Sequence, residues 1–169
     1  MEVESSNDLF KLCLRKEWHK VVRLCQSRPI NACYVDKQTG NTVLHVACRH
    51  QPSVRVIQAL LEAFPDGAVA VNTHGQLPLH IACQHNASIS VLRALVNECP
   101  GTTRQVTGDE ERISAVTLLC RAAAVDAGHG EAISGPNYSS TFWQKILVLL
   151  EAAGLDRQER TTNKTQKDR

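Results

Sequence analysis

The chain is poor in aromatic residues and has no long apolar run. Of its 169 residues, two are Trp, two are Tyr and three are Phe, which is too few for a platform on which nucleic-acid bases stack. The longest strongly apolar stretch is ILVLL at 146–150, far shorter than the roughly 18 residues of a membrane span. We therefore expect neither a nucleic-acid partner nor a membrane association.

An excess of charge of one sign is missing as well. Lys and Arg total 19 against 17 Asp and Glu, a formal net charge of +2. The segment 156–169 holds five basic and three acidic residues, so the rest of the chain is neutral. A neutral body is a poor binder of polyanions. At 43% apolar and 21% charged residues, the composition is typical of a globular protein.

Motifs of catalysis and of disulfide or metal chemistry are also lacking. The sequence contains no G-x-S-x-G, G-x-x-x-x-G-K-[ST], G-x-G-x-x-G or H-E-x-x-H, so we expect no enzymatic activity and no cofactor. Its seven cysteines form no C-x-x-C pair, and the polar opening residues lack the apolar region of a secretory signal. We expect free thiols in an intracellular protein, cytoplasmic or nuclear and not secreted.

What the sequence does contain is an internal repeat of 35 residues. The segment GNTVLHVAC at 40–48 recurs as GQLPLHIAC at 75–83. The segment SVRVIQALLEAFP at 53–65 recurs as SISVLRALVNECP at 88–100, with the same offset. Two blocks that move together by one offset indicate a repeat architecture.

Fainter copies flank the two central units. Upstream, WHKVVRLCQSRP at 18–29 has the pattern of the second block. Downstream, TLLCRAA at 117–123 resembles 42–48 and places Cys120 in the position of His45, and FWQKILVLLEAAG at 142–154 resembles the second block. We predict an N-terminal tail over 1–7, units over 8–35, 36–71, 72–106 and 107–155, an inserted loop over 124–140, and a disordered polar tail over 156–169.

Each central unit reads as a short helix, a turn and a longer helix. The short helices are predicted over 43–49 and 78–84, and Pro78 suits the first turn of a helix. Ser53 and Ser88 stand where the second helices should be capped. Apolar residues recur with the 3.6-residue period of a helix after both serines. Pro65 and Pro100 end these helices, so the predicted fold is all-α.

These residues resemble the ankyrin-repeat family. The resemblance is carried by G-x-T-x-L-H-x-A-C at 40–48 and G-x-x-P-L-H-x-A-C at 75–83, against a family signature of T-P-L-H-x-A and a period near 33 residues. The family implies an all-α helix-turn-helix solenoid of about four repeats, of which the two central ones match well. It also implies that His45 and His80 bond to the backbone of the adjoining hairpin.

The histidines and cysteines leave a second possibility open. His45, Cys48 and His50, and likewise His80, Cys83 and His85, share one helical turn and could belong to a metal site. A structural zinc site needs four converging ligands, which this spacing does not provide by itself. Cys33 lies in a connector, where it could be a reactive thiol. The alternative function is therefore a small metal- or redox-responsive protein.

The polar outer face of a terminal unit is predicted at the N-terminal end. Solenoid stacks need terminal units with such a face, and Lys11, Arg15, Lys16 and Lys20 supply it.

Repeat stacks of this kind bury their leucines between neighbours and leave hairpin tips and first helices exposed to a partner. We therefore expect a non-enzymatic protein-protein interaction module.

The partner is expected on the concave surface formed by the hairpin tips and the first helices. We expect a monomer that binds another protein, through a strip suited to an acidic or polar peptide. The candidate binding residues flank the repeated framework of each unit: Gln38, Thr39, Asn41, Arg49, His50, Thr73, His74, Gln76, Gln84, His85, Asp109, Glu110, Arg112 and Arg121.

Overall fold

The computed structural model describes residues 7–108, 111–126 and 140–167. Over these residues the chain forms helices and turns without a sheet, which confirms the predicted all-α class. The helices are α1 (Asp8–Leu14), α2 (Trp18–Ser27), α3 (Val43–Arg49), α4 (Val54–Ala63), α5 (Pro78–Gln84), α6 (Ile89–Glu98), α7 (Ala115–Asp126) and α8 (Ser140–Lys167).

The helices stack in two layers. The first helices of the units contact one another in the order α1, α3, α5 and α7, and the second helices in the order α2, α4, α6 and α8. Each first helix also packs on the second helix of its own unit. The result is a solenoid of four helix pairs, as the repeat predicts.

Short 3₁₀ turns follow the second helices and begin at Pro29, Pro65 and Pro100. Proline favours this position because its ring fixes φ and its missing N–H needs no partner in a first turn. After the turn the chain forms a hairpin that leads into the next unit. Antiparallel bridges join Val35 to Thr42 and Val106 to Ser114 in two of these hairpins.

The core lies between successive helix pairs. Ile57 and Leu60 of α4 are buried, as are their repeat equivalents Leu92 and Leu95 of α6. Burying one such side chain stabilises the fold by roughly 1.5–3 kcal/mol. Because each unit buries its apolar residues against its neighbours, no unit has a core of its own.

The turn between the two helices of a unit has the same conformation in three units. Lys16, Gln51 and Asn86, which are 35 residues apart, adopt φ values of +59°, +51° and +52°. This left-handed region ends the first helix abruptly and reverses the chain within a few residues. Glycine adopts it without strain, whereas other residues do so at a cost.

The last helix differs from the others in length. α8 has 28 residues and continues to Lys167, so its backbone is helical within the range 156–169, for which the sequence predicts a disordered tail. None of the helices in the described residues has both the length and the apolarity needed to cross a membrane.

Candidate partner-binding surface

The tips of the hairpins are joined side by side by hydrogen bonds. The backbone N–H and hydroxyl of Thr39 both donate to a carboxylate oxygen of Asp36, at 2.9 and 2.6 Å. These bonds lower the pKa of the Asp36 carboxyl. The N–H and hydroxyl of Thr73 donate to the carbonyl of Thr39, and the N–H of Gly108 donates to the carbonyl of His74. Three successive tips therefore form one edge.

The base of the second hairpin is organised by Asn72. Its side-chain oxygen accepts the N–H groups of His74 and Gln76, both at 3.0 Å, and its amide donates to the side-chain oxygen of Asn41 at 3.1 Å. Of the candidate residues, Asn41 and Gln76 therefore hold the hairpins together. His74 lies at the exposed tip.

His45 and His80 are structural. The N–H of Thr42 donates to Nδ1 of His45 at 3.2 Å, so Nε2 carries the proton and donates to the carbonyl of Gln76 at 2.9 Å. His80 repeats the arrangement, with Nε2 at 3.0 Å from the carbonyl of Gln105. Each imidazole thus ties a first helix to the following hairpin, as the family resemblance implies.

Burial lowers the pKa of His45. The bond to the carbonyl of Gln76 acts in the opposite direction, and the nearby His80 lowers the pKa further. A neutral imidazole that both accepts and donates in this way has no nitrogen left for a metal ion. Within the parts of the chain that the structure describes, no cluster of three or more His, Cys, Asp or Glu side chains is arranged to hold a metal ion.

The first helix of the last unit begins earlier than the sequence suggests. The N–H of Thr117 donates to Oγ of Ser114 at 3.3 Å, and the N–H of Leu118 donates to the Ser114 carbonyl at 3.0 Å. Ser114 therefore caps the helix, and Thr117 stands in the position of His45. The expectation that Cys120 takes that position is wrong.

The corrected register aligns the C-terminal ends of the first helices. Arg49, Gln84 and Arg121 directly follow Cys48, Cys83 and Cys120 and are exposed, whereas the first six residues of α3 and of α5 are buried. In these two helices the exposed surface is therefore limited to the last residue and the turn after it.

Two histidines lie in these turns beside cations. Burial lowers the pKa of His50, and the charges of Lys16 and Arg49 lower it further. His85 has a pKa lowered by burial and then by Arg49 and His50. Arg49 and His50 of one unit therefore lie near His85 of the next unit. The positive charge of Arg49 makes protonation of either imidazole less favourable.

A cleft of about 670 Å³ continues this row between the third and fourth units. The side-chain amide of Gln51 donates to the carbonyl of His85 at its edge, and Arg121 forms an ion pair with Glu111 at 2.9 Å. The cleft is lined by Gln51, Gln84, His85, Asn86, Leu118, Arg121 and Ala122. We use the name basic strip for six side chains: Lys16, Arg49, His50, Gln84, His85 and Arg121.

The other candidate residues lie away from the basic strip. Gln38 is exposed in the first hairpin, and Arg112 is exposed in the last one, where its φ is +46°. Asp109 and Glu110 lie outside the described residues, as does most of the predicted insertion over 124–140. Five of the fourteen candidates (Arg49, His50, Gln84, His85 and Arg121) thus lie in one row.

Three further residues position this surface and were missed in the sequence. Asp36 and Asn72 organise the hairpins, and an Asp or Asn shortly before a Gly is a turn signal that could have identified them. Lys145 of α8 is buried, and its ammonium group donates to the carbonyl and side-chain oxygen of Asn86 at 3.1 and 2.6 Å. No local pattern indicates this contact, because the two residues are 59 positions apart.

A model of ankyrin repeats in three copies matches residues 5–105 of the chain. No curated protein matches it. The match covers the first three helix pairs, including the hairpins bonded by His45 and His80. Ankyrin repeats are generally protein-protein interaction modules and are typically not enzymes. The chain therefore belongs to the ankyrin-repeat family.

Proposed function

We propose that this chain is a non-enzymatic module that binds an acidic or polar peptide segment of a partner protein along the basic strip. The observation that carries the proposal is the exposed row of Arg49, Gln84 and Arg121, which occupies one structural position in three successive units. Packing does not explain these polar side chains, yet they repeat with the fold. A rigid repeat scaffold presents such a row as an extended surface.

The charge of the basic strip favours an acidic partner. Lys16 and Arg49 lie close enough to His50 to lower its pKa, so the potential there is positive. A carboxylate bound at this place would offset that repulsion and favour protonation of His50 and His85. The positive groups also complement the partial negative charge at the C-terminal ends of the first helices, which contributes to stability without excluding a ligand.

The strip and its cleft are complete within one copy of the chain, so recognition requires no second subunit. We place the protein inside the cell, because all seven cysteines are free thiols. Burial raises the pKa of Cys25 to about 11 and that of Cys13 to about 12. Thiols of this kind are inert at neutral pH and pack as small apolar side chains.

Selection from a displayed random peptide library tests this proposal. We expect enriched peptides to be acidic and to bind an Arg49→Glu, Arg121→Glu variant at least about tenfold more weakly, since charge reversal replaces attraction by repulsion. Arg55→Glu provides a control for charge reversal, because Arg55 is an exposed arginine of a second helix, α4, and not one of the six side chains of the basic strip. The melting temperature should not change.

Two outcomes would contradict the proposal. If the double variant unfolds, Arg49 and Arg121 are structural and the strip is not a binding surface. If it folds and binds the selected peptides as tightly as the wild type and the Arg55→Glu control do, recognition lies elsewhere on the molecule.

A further inference from the structure

The outer face of α8 exposes a row of apolar side chains. Leu147 and Leu150 are 55% and 53% exposed, and Trp143, which contacts Phe142 edge to face, is 56% exposed. Their spacing of four and three residues places them on one side of the helix. Isolated exposed leucines are common on protein surfaces, whereas a contiguous apolar row marks an interaction surface.

Alignment of α8 with the second helices of the other units shows how this row is placed in the repeat. Buried Ile57 of α4 and Leu92 of α6 correspond to buried Ile146 of α8, so the three helices can be aligned residue by residue. Leu150 then corresponds to Leu61 and Val96.

Leu61 and Val96 are only 5% and 4% exposed. In their units the second helix of the next unit packs on this side, α6 on α4 and α8 on α6. Leu150 thus lies on the face on which internal units stack, and in the described residues no helix covers it. Leu147 lies beside this face, at the position of Gln58 and Arg93, which are exposed in their units.

We propose that a second copy of this chain covers this face, with the two α8 helices antiparallel across a two-fold axis. In that arrangement Leu147 packs on Leu150 of the partner subunit, and Leu150 packs on Leu147 of the partner subunit. The contact does not involve the basic strip, so it is independent of the function proposed above.

The spacing of the row favours an isologous antiparallel contact. Positions 143, 147, 150 and 154 are symmetric about the midpoint of Leu147 and Leu150, so antiparallel pairing places the large ring of Trp143 opposite Gly154 of the partner subunit. A Cβ at Gly154 would meet no atom of the described residues within 4 Å. Gly154 therefore leaves space for the indole ring of Trp143 of the partner subunit. A two-fold contact requires this kind of self-complementarity.

The opposite end of the stack excludes a head-to-tail contact. There a cleft of about 560 Å³ between α1 and α2 is lined by Lys11, Arg15, Lys20 and Arg23, together with Asp8, Leu12, Leu24 and Ser27. Stacking this end on α8 of another copy would place several cations against leucines and remove them from water, which is unfavourable. The apolar face matches itself, and such a contact closes as a dimer.

The dimer should be weak. The three exposed side chains of each copy present roughly 300 Å², so the interface lies below the size of standard stable complexes, about 1,200–2,000 Å². We expect an association that is detectable only at high protein concentration. Sedimentation velocity of the intact chain between about 5 and 500 µM should therefore show a reversible monomer–dimer equilibrium.

Two single variants and their mixture test the register. Leu147→Lys and Leu150→Glu should each weaken dimerisation at least about tenfold. An equimolar mixture should recover it, because the antiparallel pairing brings the new lysine of one copy to the new glutamate of the other. Position 147 corresponds to Gln58 and Arg93, which are exposed polar residues of α4 and α6, so the substitution is compatible with folding. Thermal melting checks both variants.

A matched control and a local reporter complete the experiment. Val71→Lys changes a hairpin valine that is 57% exposed and should leave dimerisation unchanged. In a Trp18→Phe background, the fluorescence of Trp143 should shift to shorter wavelengths as the concentration rises, because the indole leaves water.

The proposal is overturned if the chain stays monomeric at the highest concentration, in which case another molecule or segment covers α8. It is also overturned if either variant dimerises as the wild type does. If the variants lose dimerisation and their mixture does not recover it, the antiparallel pairing is wrong.

Discussion

The two ends of the repeat stack are finished in different ways. At the N-terminal end, α1 and α2 direct Lys11, Arg15, Lys20 and Arg23 towards solvent. At the C-terminal end, α8 presents the apolar row described above, centred on Leu147. A solenoid needs a polar terminal face to stay soluble. The first unit therefore acts as a cap, whereas the last unit leaves apolar side chains exposed, among them Leu150, whose equivalents Leu61 and Val96 are buried in the internal units.

The units also differ at the third residue of the first helix. Central α3 and α5 carry His45 and His80, which bond to the following hairpin. α1 carries Phe10, whose ring packs edge to face on Tyr34 of the following connector with centroids 5.2 Å apart. α7 carries Thr117, which bonds to its own cap. The central units thus couple through neutral imidazoles, and the terminal units through other contacts.

The largest loss of stability is expected from substitutions of leucines that are buried in the core at the two ends of the stack. Leu9 of α1 and Leu149 of α8 are fully buried, so Leu9→Ala or Leu149→Ala should lower the free energy of unfolding by about 2–5 kcal/mol. The measurement is urea denaturation at low protein concentration. Leu14→Ala and Leu150→Ala are matched controls on the same two helices. Since these leucines are half exposed, their effect should be below about 0.5 kcal/mol.

These variants show whether the two ends of the stack differ only in their exposed side chains or also in their buried cores. Equal losses for Leu9→Ala and Leu149→Ala would show that the two terminal units are equally integrated into the stack. A loss at Leu9 without one at Leu149 would mean that α8 does not pack as described.

A smaller effect is expected from the polar contact that joins the last unit to the third. Lys145→Ala should lower the free energy of unfolding by about 1–3 kcal/mol, because it removes a buried donor from the carbonyl and side-chain oxygens of Asn86. Gln144→Ala, at an exposed neighbouring position of α8, should have no measurable effect. At the N-terminal end, the ion pair of Lys20 with Glu17 lies at the surface. Lys20→Ala should therefore leave the urea midpoint unchanged, and a loss as large as that of Lys145→Ala would contradict the comparison.

The central units were the part of the fold that the sequence predicted best. The short helices predicted over 43–49 and 78–84 have these bounds in the structure. The bounds were predictable because the same sequence pattern occurs in both units. The last unit lacks the histidine, and the Thr at 117 imitates the cap at Thr42. Only the hydrogen bonds of Ser114 reveal the true start of α7.

The candidate surface was predictable in part for a similar reason. Exposed polar residues at repeating positions, such as Arg49 and Gln84, can be read from the period. Hydrogen bonds between units cannot, because the bond of Asn72 to Asn41 and that of Lys145 to Asn86 depend on how the units stack. The exposure of Leu150 likewise depends on whether another helix packs against the outer face of α8.

Lowering the pH should destabilise the central units of the stack. Burial is the main cause that lowers the folded-state pKa of His45 from 6.5. Above this pH the imidazole is neutral in both states. As the pH falls below 6.5, the unfolded chain gains a proton that the folded chain resists, so the free energy of unfolding decreases. His50 and His85, whose pKa values are also lowered, contribute with the same sign.

Urea unfolding of the wild type and of His45→Gln at about pH 7.5 and 5.5 measures this contribution. The variant should be less stable than the wild type at the higher pH and should lose less stability on acidification. Phe10→Leu, at the matching position of the first unit, should leave the pH dependence unchanged. An equal pH dependence in His45→Gln and the wild type would show that His45 does not contribute.

The smallest effect is expected at the turn shared by three units, and it should differ in sign along the stack. Lys16 has a φ of +59°, a conformation that costs a residue with a side chain about 1–2 kcal/mol. Lys16→Gly removes this strain but increases the entropy of the unfolded chain, so the net gain in stability should be about 0.5–1 kcal/mol. Asn86 has nearly the same φ, but its side-chain oxygen accepts a hydrogen bond from the ammonium group of Lys145 at 2.6 Å. Asn86→Gly relieves less strain, since Asn tolerates this region, and it removes one of the two oxygens to which Lys145 donates. Thermal melting should therefore rise for Lys16→Gly and fall for Asn86→Gly, whereas a rise in both would show that the bond between Asn86 and Lys145 does not stabilise the last unit.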